Sequence, residues 1–175
     1  LLQRQARGIT VSTLLEAEYF SRHGLHDQFY AVPLAPDKVP RIAALVRRGT
    51  DLVCATHDLQ AVAEIERRAR EEGIVLPLVI DVDVDRHRSG VQTGDPEFLA
   101  IARAIHASSQ LQLRGIMIYA GASYEAPDIE AIAALAERIR QGGVQARALL
   151  QAHGLPCPMV SYGSRPGTVF ARSMQ

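Results

Sequence analysis

The amino-acid sequence predicts an α/β fold built around a parallel sheet, and it favours a barrel over a doubly wound sheet. Strand-like and helix-like segments alternate along the whole chain of 175 residues. Strands separated by helices are typical of parallel sheets with right-handed crossovers. Polar residues also gather where the strand-like segments end, which is where barrel enzymes keep their chemistry.

Six segments are predicted as strands because they are rich in β-branched and aliphatic residues and are bounded by Gly, Pro, Asp or polar turns. They cover residues 8–13, 29–34, 51–56, 76–84, 113–120 and 159–163. Six amphipathic segments are predicted as helices, at residues 16–23, 36–48, 58–72, 95–108, 128–142 and 144–153. The order is therefore five βα units, the fifth with two helical segments, followed by a sixth strand.

Residues that begin and end helices support these boundaries. Thr13 and Glu16 have the spacing of a capping box ahead of the first helix. Gly49, Gly73 and Gly154 each follow the last apolar position of a helix, as glycines do at helix carboxyl ends.

The first turn and the fourth strand decide between the two parallel architectures. Residues 8–16 read GITVSTLLE, without the G-x-G-x-x-G turn that a doubly wound sheet normally shows after its first strand. The segment at 76–84 is apolar on one face and becomes acidic on the other near its end, as barrel strands do. Six strands cannot close an eight-stranded form. The sequence thus predicts an incomplete (β/α)8 barrel, of about six βα units, with an open sheet as the alternative.

Composition narrows the class of protein. The chain is 47% hydrophobic, enough for one core, and its formal net charge of zero argues against a nucleic-acid partner. No apolar run is long enough to span a membrane, and the amino-terminal residues lack the apolar stretch of a signal peptide. Cys54 and Cys157 lie far apart and without metal-ligand spacing, which fits a reduced, cytoplasmic compartment.

The most informative stretch is residues 79–91, VIDVDVDRHRSGV, where an apolar strand runs into charged residues. At the two-residue period of a strand, Ile80, Val82 and Val84 share one face and Asp81, Asp83 and Asp85 share the other. The turn after them carries Arg86, His87 and Arg88. Such a strand end predicts a polar platform on which Arg88 binds an anionic oxygen. A surface strand with a solvated acidic edge is the alternative.

Two further strand ends carry candidate site residues. The segment 119–124, YAGASY, places small residues between two tyrosines and leaves room for a flat ligand beside Tyr119, although a packing role for this ring is equally open. The segment 161–168, SYGSRPGT, is predicted as a loop whose backbone N–H groups and hydroxyls could cradle a phosphate. Such clusters are mostly ordinary loops.

The remaining candidates favour structural roles. His23 and His26 flank a glycine with a spacing unlike that of a zinc pair, so a solvated turn is expected. The other histidines considered are expected on helix faces or ends: His57, His106 and His153. Lys38, the only lysine, falls in the first turn of a helix, where a solvated side chain rather than a nucleophile is expected.

Five segments together resemble a known family. They read GITVSTLLEAEYF, YAVPLAPDKVPRI, IDVDVDRHRSGV, YAGASY and GLPCPMVSYGSRPGT, in this order, over essentially the whole chain. They are similar to the D-threonine aldolase and D-serine dehydratase group of fold-type III enzymes, in particular its amino-acid deaminase-like branch. The resemblance implies a barrel of the alanine racemase N-terminal type, pyridoxal 5′-phosphate as the cofactor, D-amino acids as substrates and a homodimer.

The resemblance also implies roles for individual residues. Arg88 would hold the phenolic oxygen of the cofactor, and Tyr119 would lie beside its pyridine ring. Gly163 and Ser164 would bind the phosphate, and Thr168, in the same loop, is the fifth residue expected to bind the cofactor. No catalytic residue and no metal ligand of this chain is assigned.

Several family features are expected outside this chain. They are the first barrel strand with the Schiff-base lysine, which Lys38 does not replace, and a C-terminal β domain that carries the metal ligands of some members. Tyr119 stands where His is expected in the similar branch, and Arg165 with Gly167 alters the usual phosphate-loop pattern.

The expected function is that of a pyridoxal-phosphate-dependent lyase acting on D-amino acids, either D-serine dehydratase-like or D-threonine aldolase-like. This chain alone is expected to be inactive, because the lysine is absent. The alternative is a non-catalytic barrel module that binds the cofactor or a phosphorylated metabolite. The sequence does not separate dehydratase, aldolase and racemase.

Overall fold

Six parallel strands form one sheet in the computed structural model, which describes residues 8–86, 88–119 and 121–170. The spatial order of the strands equals their order along the chain, β1 to β6. Their bounds are Ile9–Val11 (β1), Asp27–Pro33 (β2), Asp51–Thr56 (β3), Leu76–Val82 (β4), Leu111–Tyr119 (β5) and Met159–Gly163 (β6). A sequential order without reversal is that of a barrel, so the predicted incomplete barrel is confirmed.

Helices follow the strands. They are α1 (Leu14–Arg22), α2 (Val39–Val46), α3 (Leu59–Glu72), α4 (Pro96–Ala107), α5 (Ile129–Ala152) and α6 (Arg165–Phe170), with short 3₁₀ turns at Pro36–Lys38 and Gly121–Tyr124. The predicted capping box is present, since the Glu16 N–H donates to Thr13 Oγ1 at 3.1 Å and the Thr13 N–H donates to Glu16 Oε2 at 2.9 Å. Gly73 ends α3 in the left-handed conformation, at φ 63°. No helix of the described residues is long and apolar enough to cross a membrane.

The two faces of the sheet have different partners. On β4, Leu78, Ile80 and Val82 pack into the large core that the sheet shares with the helices. The opposite face carries a small second cluster, which consists of Phe29, Val53, Ala55, Val79 and Met117. Alternate residues of each strand thus point outward to the helices or inward to the concave side, and the sheet forms a curled half-barrel.

Residues 128–153 differ from the sequence prediction. The expected break at Gly142 and Gly143 does not occur, and α5 is continuous from Ile129 to Ala152. A Cβ at Gly142 would lie 2.7 Å from Val84 Cγ1, and one at Gly143 would lie 2.7 Å from Ile118 Cδ1. The two glycines therefore let the helix approach the sheet closely, and they do not end it.

Two other boundaries are corrected. The strand predicted at 76–84 ends at Val82, because the chain then turns and the Val91 N–H donates to the carbonyl of Asp81 at 3.0 Å. The segment after Gly163, predicted as a loop, contains the short helix α6. Its first turn is closed by the Thr168 N–H, which donates to the carbonyl of Ser164 at 2.9 Å.

Candidate functional site

A cavity of about 450 Å³ opens on the concave side at the carboxyl ends of the strands. We call it the inner cavity. Its walls come from β1, β2, β4, β5 and β6 and from the turn after β4, and they include Ser12, Phe29, Asp81, Arg88, Tyr119 and Gly163. Because inward positions alternate along each strand, the inner cavity collects side chains that are far apart in sequence.

Arg88 and Tyr119 meet in the inner cavity. The guanidinium carbon of Arg88 lies 4.4 Å from the centroid of the Tyr119 ring, the distance of a cation–π contact. The Tyr119 hydroxyl donates to the hydroxyl of Tyr124 at 3.2 Å, and the two rings stack with centroids 6.4 Å apart. The contact between Arg88 and Tyr119 places a cation and an aromatic face on the same wall of the inner cavity.

Gly163 forms the neighbouring wall, beside the Tyr119 ring. A Cβ added at Gly163 would lie 3.3 Å from Tyr119 Cδ2, so a larger residue would push against this ring. Because Gly163 has no side chain, the wall of the inner cavity stays open beside the Tyr119 ring, and we call this place the slot.

The hydroxyls of the predicted phosphate loop are engaged within the chain. Ser164 Oγ lies 2.6 Å from Ser123 Oγ and accepts a hydrogen bond from the Gly167 N–H at 2.9 Å. The Thr168 hydroxyl donates to the carbonyl of Ser164 at 2.7 Å, and Thr168 is exposed and is not among the residues that line the inner cavity. The structure therefore groups Arg88, Tyr119 and Gly163 on one cavity, with Ser164 buried just behind and Thr168 further out.

The three acids predicted on one face separate. Asp81 is on β4 and faces the inner cavity, whereas Asp83 and Asp85 follow the strand. Asp83 lines a different cavity, on the side of α5. Asp85 accepts a hydrogen bond from the Ala122 N–H at 3.2 Å and so holds the turn after β5. Of the three acids in the predicted platform, Asp81 is the one that faces the inner cavity. His87 lies outside the described residues.

Asp81 is 1% exposed, and its Oδ2 accepts a hydrogen bond from the Ser89 hydroxyl at 2.8 Å. Burial raises the pKa of this carboxyl, and the Ser89 hydrogen bond and the nearby His57 lower it again in part.

His57 directly precedes Asp58, the N-cap residue of α3, so the expected position at a helix end is confirmed, but its proximity to Asp81 was not predicted. It follows β3 directly, and its Nδ1 lies 3.9 Å from Asp81 Oδ2. Its position immediately after a predicted strand was the available signal, because that is where barrel site residues stand.

The expectation of a solvated Lys38 is also corrected. Its Nζ donates to the hydroxyl of Tyr30 at 2.8 Å and lies 5.4 Å from the centroid of that ring. Tyr30 is 1% exposed and belongs to the core between the sheet and the helices. Lys38 therefore lies on the helix side of the sheet, away from the inner cavity.

The fold and the site together define a class: a parallel α/β half-barrel whose carboxyl edge presents a cation, an aromatic ring and a glycine-lined slot. Residues 1–175 match the family model described as alanine racemase, N-terminal domain, and the chain belongs to this family. The resemblance drawn from the sequence motifs is thus confirmed.

Two proteins of known function show how specific the match is. The chain is 47% identical over 167 residues to the D-threo-3-hydroxyaspartate dehydratase of Delftia sp. strain HT23, covering 95% of this chain and 44% of that protein. It is 29% identical over 157 residues to the 3-hydroxy-D-aspartate aldolase of Paracoccus denitrificans, covering 89% of this chain and 40% of that protein.

Solved structures agree with these relationships. The structure of the Delftia dehydratase superposes with a TM-score of 0.94 at 45% identity, over 98% of this chain and 45% of that chain. D-threonine aldolase from Filomicrobium marinum superposes with a TM-score of 0.85 at 21% identity, over 95% of this chain and 45% of that chain, which shows a common fold. The chain spans less than half the length of the relatives it matches.

Proposed function

We propose that this chain is the barrel portion of a pyridoxal-phosphate-dependent lyase that acts on D-amino acids. The observation that carries the proposal is the convergence of Arg88, Tyr119 and Gly163 on the inner cavity, since the family resemblance implies these positions around the cofactor. The identity to a D-threo-3-hydroxyaspartate dehydratase and to a 3-hydroxy-D-aspartate aldolase supports the substrate class.

The residues of the inner cavity fit a flat, anionic cofactor. The volume of about 450 Å³ lies within the usual range for small-molecule sites. One wall offers a guanidinium over an aromatic face, and the other is a glycine at which a Cβ would come 3.3 Å from that face. Apolar residues close the floor, among them Phe29 and Met117.

In this proposal the described residues hold and orient the cofactor. Arg88 binds the phenolic oxygen through a charge-assisted hydrogen bond, and Tyr119 lies beside the pyridine ring. Gly163 and Ser164 bind the phosphate. Ser164 Oγ accepts from the Gly167 N–H, and if Ser123 donates to it, its own proton remains available for a phosphate oxygen. Thr168 already donates to a backbone carbonyl, so its role is to brace the loop.

When bound, pyridoxal phosphate supplies a conjugated ring that accepts electron density and weakens the bonds at the substrate Cα. The contribution of this chain is orientation and exclusion of water. Arg88 keeps a fixed positive charge at one edge of the site, and the apolar floor of Phe29, Val79 and Met117 keeps bulk solvent from below. Both a dehydratase and an aldolase would use this wall.

The proposal for the intact protein includes parts outside these 175 residues. We place the lysine that binds the cofactor on a barrel strand before Leu1, and a C-terminal β domain after Gln175. A divalent metal is included, with ligands outside this chain, because one of the similar structures is a metal-free form of a D-threo-3-hydroxyaspartate dehydratase mutant. A homodimer in the cytoplasm completes the proposal, and two free, buried cysteines are compatible with that compartment.

The first test is an absorbance spectrum of the intact protein before and after borohydride treatment, followed by peptide mapping. The expected result is a band near the visible edge that borohydride abolishes, with the reduced adduct on a lysine before Leu1. A noncovalent band without an adduct would favour the alternative, a binding module. A protein without any band after cofactor addition would refute the lyase.

The second test separates the reactions. The intact protein is incubated with D-threo-3-hydroxyaspartate, D-serine and D-threonine. Ammonia together with a keto acid identifies a dehydratase, whereas glycine together with an aldehyde identifies an aldolase. The expected activity is dehydration of the hydroxyaspartate, because the chain is 47% identical to a dehydratase of that substrate.

A further inference from the structure

Three polar side chains that were not predicted to bind the cofactor meet beside the inner cavity. Asp81 faces inward from β4, Ser89 lies in the turn after it, and His57 follows β3. The alternation of β3 places His57 on the inward side, since Val53 and Ala55 belong to the inward cluster. The same turn carries Arg88, one residue before Ser89.

The base of this turn is held to β4. The Val91 N–H donates to the carbonyl of Asp81 at 3.0 Å, and the Asp83 N–H donates to the carbonyl of Val91 at 3.1 Å. Gly90 has φ 130°, and a Cβ there would lie 2.5 Å from the backbone nitrogen of Asp83. Within this closed turn, the Ser89 hydroxyl donates to the Asp81 carboxylate at 2.8 Å, which adds a side-chain link between β4 and the residue next to Arg88.

His57 supplies the second contact to the carboxylate. Its Nδ1 is buried and makes no hydrogen bond among the described residues, and the nearest acceptor oxygen of Asp81 is 3.9 Å away. A buried polar atom without a partner is unfavourable, so a shift of about 1 Å that closes this gap stabilises the pair. An N–H on Nδ1 would then donate to Asp81 and fix the orientation of both side chains.

We propose that Asp81, oriented by His57 and Ser89, is a positioning residue that holds Arg88 over the Tyr119 ring. What Arg88 then binds rests on the proposed function; how Arg88 is held does not. A carboxylate in this place is expensive for folding, because burial raises its pKa and disfavours the charged form. The positioning of Arg88 accounts for the presence of a carboxylate at this buried place.

The first test uses crystal structures of the cofactor-free intact protein. The variants are Asp81→Asn, His57→Phe and Ser89→Ala, with Ser89→Thr as the conservative partner because it keeps the hydroxyl. The matched controls are Asp37→Asn and His153→Gln, which change an exposed acid and an exposed histidine.

The expected result is that Arg88 leaves the Tyr119 ring, now 4.4 Å from its guanidinium carbon, in Asp81→Asn and Ser89→Ala, and that it stays in Ser89→Thr and in both controls. His57→Phe is expected to turn the Asp81 carboxylate away. If Arg88 remains on the ring in Asp81→Asn and in Ser89→Ala, the proposal is wrong.

The second test is a double-mutant cycle on the dissociation constant of pyridoxal 5′-phosphate. Asp81→Asn is expected to weaken binding about tenfold in the wild-type background, which is within the range for coupled neighbours. In the Arg88→Gln background the same change should have almost no effect, because Asp81 acts through Arg88. Equal effects in the two backgrounds would overturn the proposal. If the wild-type protein binds no cofactor, the proposed function fails, and the crystal structures still decide how Arg88 is held.

Discussion

Substituting Gly163 with alanine tests the slot beside Tyr119 with a single methyl group. The added Cβ would lie 3.3 Å from Tyr119 Cδ2 and 3.8 Å from its Cε2. Carbon atoms prefer separations of about 3.5–4.0 Å, so the ring must move by a few tenths of an ångström. Gly163 does not have a positive φ, and alanine therefore fits the backbone.

The change should separate folding from binding. When no cofactor is added, the Tyr119 ring can move, and the free energy of unfolding should change by less than about 1 kcal/mol, part of it a gain from the stiffer unfolded chain. With a cofactor in the slot the ring cannot yield, and overpacking of about 1–3 kcal/mol corresponds to binding that is weaker by roughly fivefold to 150-fold.

The assay is urea unfolding together with titration of the cofactor-free intact protein with pyridoxal 5′-phosphate. Gly94→Ala is the matched control, because a Cβ there meets no atom within 4 Å. If Gly163→Ala binds the cofactor as tightly as the wild type, the slot is not where the cofactor lies. If Gly163→Ala does not fold, the argument that the Tyr119 ring can move away from the new Cβ is wrong.

Three further predictions concern other parts of the molecule. Arg88→Lys keeps the charge but loses the planar stack on Tyr119, so the cofactor dissociation constant should rise about tenfold, measured by the same titration. Burial raises the pKa of Asp81, so the folded protein holds this proton to a higher pH than the unfolded chain does. The contribution of Asp81 to stability should therefore fall as the pH rises above about 4. Thermal melts across pH should show this fall in the wild type and not in Asp81→Asn. Gly115→Ala should destabilise the protein by about 3 kcal/mol or more in urea, because φ is 130° and the new Cβ would overlap the carbonyl oxygen of Met159 on the neighbouring strand; a stable variant would mean that β5 and β6 are not paired as described.

Local sequence signals predicted the strands, most helices and the type of sheet. The capping box of Thr13 and Glu16 is a property of four consecutive residues, and the period of a strand is visible within six. The capping box and the strand period can therefore be recognised without knowledge of the tertiary structure.

Features that depend on contacts between distant segments were not predictable. Gly142 and Gly143 look like a helix end, yet their reason lies in Val84 and Ile118, which touch the helix at that point. His57 was expected on a helix face or end, and nothing near it in sequence reveals its proximity to Asp81, 24 positions further along the chain. Such a pair becomes visible only when neighbouring strands are aligned in the sheet.

Hydrogen bonds between successive turns explain why loop residues can form a defined site here. Asp85, after β4, accepts from the Ala122 N–H at 3.2 Å, and so fixes the turn after β5. The next residue of that turn, Ser123, is 2% exposed and lies 2.6 Å from Ser164 Oγ, after β6. Each turn is thus tied to the next by a buried or partly buried hydrogen bond, and buried polar groups are costly when a partner is lost. The positions of Tyr119 and Gly163, which directly precede two of these turns, therefore depend on the same chain of contacts.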